Sequence, residues 1–194
     1  MQIAPGIEAE RWQALRLDEP ASPDWPEAVR ILEARIHERF IGPVDHLIAA
    51  EEAKPITERR FGFTVLAVDC LLLETLGAFL DGLTNTRGKS EATFCKFLTT
   101  RPLFKNEFTP DRAERFYEEF RCGILHQAEI GGDSKVWSVG ALLQDNGSRI
   151  IVNRNKFHDL LKAEFQGYLA ELRDPAKAEL RDNFRKKMNF ISRA

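Results

Sequence analysis

The stretch from Phe61 to Leu83 limits the fold more than any other part of the chain. Phe61, Phe63, Val65, Leu66, Val68, Leu71, Leu72, Leu73, Leu76, Phe79, Leu80 and Leu83 crowd into it. A helix that is apolar nearly all the way round has no face for water, so other elements or lipid must surround it. Asp69 and Glu74 decide between the two. Ionisable side chains are unfavourable at a bilayer centre, and the run is barely long enough to cross. The segment therefore reads as the buried central helix of a bundle, with no membrane partner. Each acid then needs a cation inside the fold, and Arg59, Arg60 or another bundle arginine is the structural candidate.

The remaining residues can supply that surround. A chain of 194 residues suits one compact domain with a proper core. Its net charge of -2 gives no global attraction to nucleic acid or anionic membranes, so any such binding must come from local patches. The opening Met1-Gln2-Ile3-Ala4-Pro5 lacks a basic leader running into an apolar segment, which argues against a secretory signal. Cys70, Cys95 and Cys122 are odd in number and widely spaced, as expected of reduced thiols in a cytoplasmic protein without a cysteine metal site.

Residues 1–24 carry Pro5, Pro20 and Pro23 and no sustained period, which predicts an irregular arm. Asp24 and Pro26 open a helix with Ala28, Val29, Leu32, Ile36 and Phe40 on one face, ending near Gly42-Pro43. A short continuation follows through Leu47 and Ile48. The central helix occupies about 60–83, and a polar loop, Asn85 to Lys89, leads to a short helix from Ser90 that stops before Pro102. Thr109-Pro110-Asp111 opens the next helix, which carries Ala113, Phe116, Tyr117, Phe120 and Ile124 and ends at Gly131-Gly132. Val136–Val139 and Arg149–Val152, separated by an Asn146-Gly147 turn, predict a β-hairpin. Asn153 or Asn155 then caps a helix with Phe157, Leu161, Phe165 and Leu169, and a last helical stretch follows Pro175. The expected architecture is a mainly α bundle over 25–174, with one small hairpin before the penultimate helix and a helical extension over 175–194.

Chemistry concentrates late in the Thr109 helix, at Arg121-Cys122-Gly123-Ile124-Leu125-His126. A guanidinium holds phosphate oxygens in a fork, and an imidazole exchanges protons near neutral pH. On an ideal α-helix the two residues lie roughly 140° apart and about 7.5 Å along the axis. Both lie off the core-facing side, with Glu118, Cys122 and Leu125 on the outer arc between them. Gly123 leaves room for a backbone or a substrate to approach, and Leu125 on that arc points to a partner surface. The plain alternative is a histidine placed favourably in a last helical turn beside an incidental surface arginine.

Phe116-Tyr117-Glu118-Glu119-Phe120-Arg121-Cys122-Gly123-Ile124-Leu125-His126-Gln127 resembles the signature helix of the HEPN superfamily, an arginine followed after four to six residues by a histidine. The run Asp69-Cys70-Leu71-Leu72-Leu73-Glu74-Thr75-Leu76 resembles the acidic, apolar helix packed beside it in one plasmid-borne HEPN-like group. The likeness covers about residues 25–170 in helical order, and only the Arg–His segment is diagnostic. It implies a HEPN-like helical bundle that dimerises around a shared groove. It also implies a metal-independent, cofactor-free endoribonuclease of a toxin–antitoxin or antiviral defence system, with RNA as substrate and an antitoxin or another defence protein as partner. Arg121 would grip the scissile phosphate and His126 would move protons during attack by the 2′-OH. Asp69, Glu74 and Glu118 would support them, with Glu74 the stronger candidate. Active members often place a polar residue directly after the arginine, where this chain has Cys122. The alternative is a non-catalytic module that uses the same groove to bind RNA or protein.

Arg87 and Lys89, with Lys96, Arg101 and Lys105 downstream, form a basic track suited to RNA phosphates, and Arg181, Arg185, Lys186, Lys187 and Arg193 form a second cluster. Acids such as Glu91, Glu107 and Asp182 dilute both. His37, His46 and His158 sit at no metal-binding spacing.

Overall fold

The computed structural model describes residues 1–193 and is mainly helical. Its axis is α4 (Gly62–Leu80), which packs against α3 (Gly42–Glu52), α5 (Ser90–Thr100), α8 (Arg154–Arg173) and α9 (Ala178–Ile191). Val65, Leu66, Cys70, Leu72, Leu73, Leu76 and Phe79 are all buried, so most of the apolar run is surrounded by protein, while Phe61, Phe63 and Leu71 remain exposed. Thr109 caps α6 (Pro110–Phe116) by accepting a hydrogen bond from the Arg112 N–H at 3.3 Å. Asn153 caps α8 through the amides of Asn155 and Lys156.

Aromatic rings join these elements. Phe116 stacks on Phe120 at 4.6 Å and on Phe157 at 5.4 Å, and Phe94 meets Tyr117 at 5.3 Å. Such pairs add about 0.5–1.5 kcal/mol beyond area burial. They hold α5, α6 and the residues that follow α6 against α8. Both helical joins, His37–Ile41 and Tyr117–Cys122, are π-helical turns, so each helix continues through a widened turn and does not stop there. The first links α2 (Trp25–Ile36) to α3 across Gly42-Pro43, where a helix end was expected.

Residues 1–24 hold more structure than an irregular arm. Strands β1 (Gln2–Ala4) and β2 (Ile7–Glu8) pair antiparallel, and α1 (Ala9–Gln13) follows directly. Ile3, Trp12 and Leu17 are buried in the common core, and Trp12 meets Phe184 of α9 edge-on at 5.4 Å. Backbone pairing and the buried Ile3, Trp12 and Leu17 hold a segment whose prolines break any period. Phe184 and Met188 are buried, so α9 packs into the same core.

The predicted hairpin exists with a different first strand. Strand β5 (Ile150–Asn153) pairs antiparallel with β4 (Leu143–Asp145) across the Asn146-Gly147 turn, and parallel with β3 (Lys135–Trp137) on its other side. Asp145 fixes β4: its carboxylate accepts from Arg112 at 3.0 Å, from Arg115 at 3.2 Å and from the Gly147 N–H at 2.9 Å. Leu-Gln-Asp carries no β-branched residue, so side-chain anchoring, more than strand propensity, selects this pairing.

Candidate functional site

Glu74 and Arg121 are brought together. Arg121 lies in the π-turn after α6, which places it opposite the middle of α4. Its Nε and Nη2 donate to Glu74 Oε2 at 3.2 and 2.9 Å. The other oxygen, Oε1, accepts from Thr86 Oγ1 at 2.5 Å and Ser90 Oγ at 2.8 Å. The guanidinium also lies 5.4 Å from the centre of the Tyr117 ring. Four donors satisfy a carboxylate only 9% exposed, which explains how the central helix tolerates it.

The electrostatics follow from that arrangement. Burial raises the Glu74 pKa, but the Thr86 and Ser90 hydroxyls and the Arg121 guanidinium outweigh it, and the net shift is downward. Burial lowers Arg121, while its hydrogen bonds to Glu74 push it above its ordinary value. Tyr117 is pushed up to about 12, chiefly by burial. The pair is therefore charged at neutral pH. Arg121 Nη1 has no protein partner among the described residues.

Arg121 and Glu74 line a cleft of about 360 Å³ with Asn85, Thr86 and Lys187 of α9. Lys187 Nζ donates to the Thr84 carbonyl at 2.7 Å, which fixes a second cation at the rim. Arg87 and Lys89 are exposed on the loop whose neighbours Thr86 and Ser90 hold Glu74. Glu118 is exposed on the outer side of the same helical stretch and makes no side-chain hydrogen bond among the described residues.

His126 does not line this cleft. It is exposed in the last turn of α7 (Gly123–Gln127), next to Leu125, which is 38% exposed. The space beside Gly123 is taken by the chain itself. After Ala128, at φ +54°, the backbone folds back so that the Glu129 N–H donates to the Gly123 carbonyl at 3.3 Å and the Gly131 N–H to that of Glu119 at 2.9 Å. A Cβ on residue 123 would stand 2.5 Å from the Glu129 carbonyl oxygen. The glycine serves this return and opens no substrate approach there.

Asp69 takes no part in the Arg121 cluster. Its Oδ1 lies 2.7 Å from His158 Nδ1, with both side chains essentially inaccessible, so its partner is a histidine where an arginine was expected. Burial pushes the Asp69 pKa up, and the histidine works against that rise. Arg59 and Arg60 lie at the far end of α4 and pair with neither acid. Thr86, Ser90 and Tyr117 contribute to the cluster without having been singled out in the sequence. The available signal was the carboxylate in an apolar helix, which demands donors, and a Ser-Thr pair four residues apart at the next helix start. Among the described residues no three His, Cys, Asp or Glu side chains gather as a metal site.

No protein-family model, curated protein or solved structure matches the chain.

Proposed function

We propose that this chain is a metal-independent endoribonuclease of the HEPN type, acting in a toxin or defence setting in the cytoplasm. The observation that carries the reading is the half-held guanidinium of Arg121. Glu74 takes Nε and Nη2, and Nη1 stays without a protein partner in a cleft that also holds Lys187. A fork anchored on one side meets phosphate oxygens in a fixed orientation, and its charge offsets the negative charge that builds in the transition state. The 2′-OH attacks phosphorus while the P–O5′ bond breaks, leaving a 2′,3′-cyclic phosphate and a 5′-hydroxyl. One imidazole accepts the 2′-OH proton and another donates to O5′. His126 of each copy in a homodimer supplies these two roles, and exposed Leu125 offers the apolar contact that joins the copies.

The alternative, a binding module without turnover, draws support from His126, whose side chain makes no hydrogen bond among the described residues, and from Cys122 in place of a polar neighbour. RNA incubated in excess chelator separates the two. The nuclease yields cyclic-phosphate ends, and both Arg121→Ala and His126→Ala lose them while remaining folded. RNA bound without any cleavage by the unmodified protein supports the module and rejects the nuclease.

A further inference from the structure

A second cleft, of about 510 Å³, lies at the N-terminal end of α4, against β3 and the start of α8. Three arginines line it, Arg59, Arg60 and Arg154, and no acidic side chain does. The Arg59 side chain donates to Ser138 Oγ at 3.0 Å and the Lys54 carbonyl at 3.3 Å, and the Arg60 side chain to the Thr57 carbonyl at 2.8 Å. Neither guanidinium pairs with a carboxylate among the described residues.

Arg154 is the more unusual of the three. It is 2% exposed, and both Nη1 and Nη2 lack a hydrogen-bond partner. The nearest carboxylate oxygen, Glu51 Oε2, is 3.5 Å from Nη2 and already accepts the backbone N–H groups of Arg60 and Phe61. Lys54 holds the other Glu51 oxygen at 2.9 Å. Glu51 is the buried counter-charge of Arg154, but the Nη1 and Nη2 donors still lack a hydrogen bond, which is costly in a buried site. Gly62 and Phe63, the first residues of α4, also line the cleft, and Glu51 takes up the Arg60 and Phe61 amides just before them.

The walls are aromatic. Trp137 is 43% exposed and Phe63 41%, both unusual for large apolar side chains in a chain whose other two tryptophans are buried. Gly62 lets α4 pack closely against β3, since a Cβ there would stand 3.1 Å from Val136 Cγ1. Flat aromatic faces beside Arg59 and Arg60, neither of which is held by a carboxylate among the described residues, are what a stacked base and its phosphate require.

We infer that this cleft binds a nucleotide, either free or as one unit of a single strand, with the phosphate over Arg59, Arg60 and the start of α4 and the base against Trp137. The inference does not rest on the nuclease reading, because no residue is shared with the Arg121 cleft. It is tested in an Arg121→Ala background, where RNA stays intact even if the nuclease reading holds. Tryptophan emission, with the Trp137→Ala variant setting the background from Trp12 and Trp25, is followed during titration with AMP, with inorganic phosphate and with a hexauridylate, and affinities are checked by calorimetry. AMP, the oligonucleotide or both quench the emission saturably. Arg59→Ala, Arg60→Ala and Trp137→Ala each weaken binding by about tenfold while the fold, checked by circular dichroism, is kept. Tighter binding of AMP identifies a free nucleotide as the ligand, and tighter binding of the oligonucleotide identifies a strand. No saturable binding of either at millimolar concentration overturns the inference. So does binding that survives all three substitutions, or inorganic phosphate binding as tightly as AMP.

Discussion

Replacing Glu74 by glutamine tests the cluster that holds Arg121. The amide keeps the size of the carboxylate, and its oxygen still accepts from Thr86 and Ser90. Its NH2 group then faces the Nε and Nη2 donors of Arg121, where Oε2 now accepts at 3.2 and 2.9 Å. Two charge-assisted bonds are lost, each about 1.5–3 kcal/mol in favourable settings. Both side chains keep some exposure, 9% and 14%, so water recovers part of that loss. A net cost of about 1–2 kcal/mol follows, or roughly 3–6 °C in Tm for a chain of this size. Glu74→Ala also strands the two hydroxyls and costs about 2–3 kcal/mol. The pH dependence has a definite sign. The folded carboxyl pKa lies below its ordinary value, so its stabilisation is present above about pH 4.5 and disappears as pH falls through the lowered folded pKa. Thermal unfolding by circular dichroism at pH 7 and at pH 3 should show the gap between wild type and Glu74→Gln closing in acid. Equal Tm values at pH 7, or a gap that widens in acid, would refute the reasoning.

His158→Ala leaves Asp69 buried without its only side-chain partner and should cost about 3–5 kcal/mol in urea unfolding. A small residual RNA-cleavage defect at most is expected in the folded fraction, because this pair stands apart from Arg121, and a selective loss of turnover would contradict that separation. Gly123→Ala forces the Glu129 carbonyl away from a 2.5 Å contact and should destabilise by about 1–3 kcal/mol, read as a lower urea midpoint with unchanged slope. Leu125→Glu places a charge on the proposed joining surface and should convert dimer to monomer in sedimentation velocity; an unmodified protein already monomeric at micromolar concentration would remove that surface from the account.

The central helix was legible because its composition leaves few alternatives. Asp69 and Glu74 were equally visible there, yet only the fold separates their fates. They sit five residues apart, so they face different neighbours, and a sequence cannot say which helix supplies the partner to each. The Thr109 cap and the Asn153 cap followed from local chemistry and stand where that chemistry puts them. The β-branched residues of Val136–Val139 favour that segment as the first strand of the hairpin, whereas Arg112 and Arg115 hold Asp145 from thirty or more residues away and give the antiparallel place to Leu143–Asp145. The π-turn at Tyr117–Cys122 was invisible to a count of 100° per residue, so the spacing of Arg121 and His126 on an ideal helix did not describe their placement. Gly123 was recognised as a point of close approach, and the approaching backbone proved to be Glu129 of the same chain.

The most direct test of the account compares a single-stranded RNA with the same oligomer lacking its 2′-hydroxyls, each incubated with purified protein in excess EDTA. The account predicts that only the RNA is cut, with cyclic-phosphate ends, and that Arg121→Ala and His126→Ala each lower the rate by at least about a hundredfold. Cutting of the deoxy oligomer, or variants as active as the unmodified protein, would contradict it.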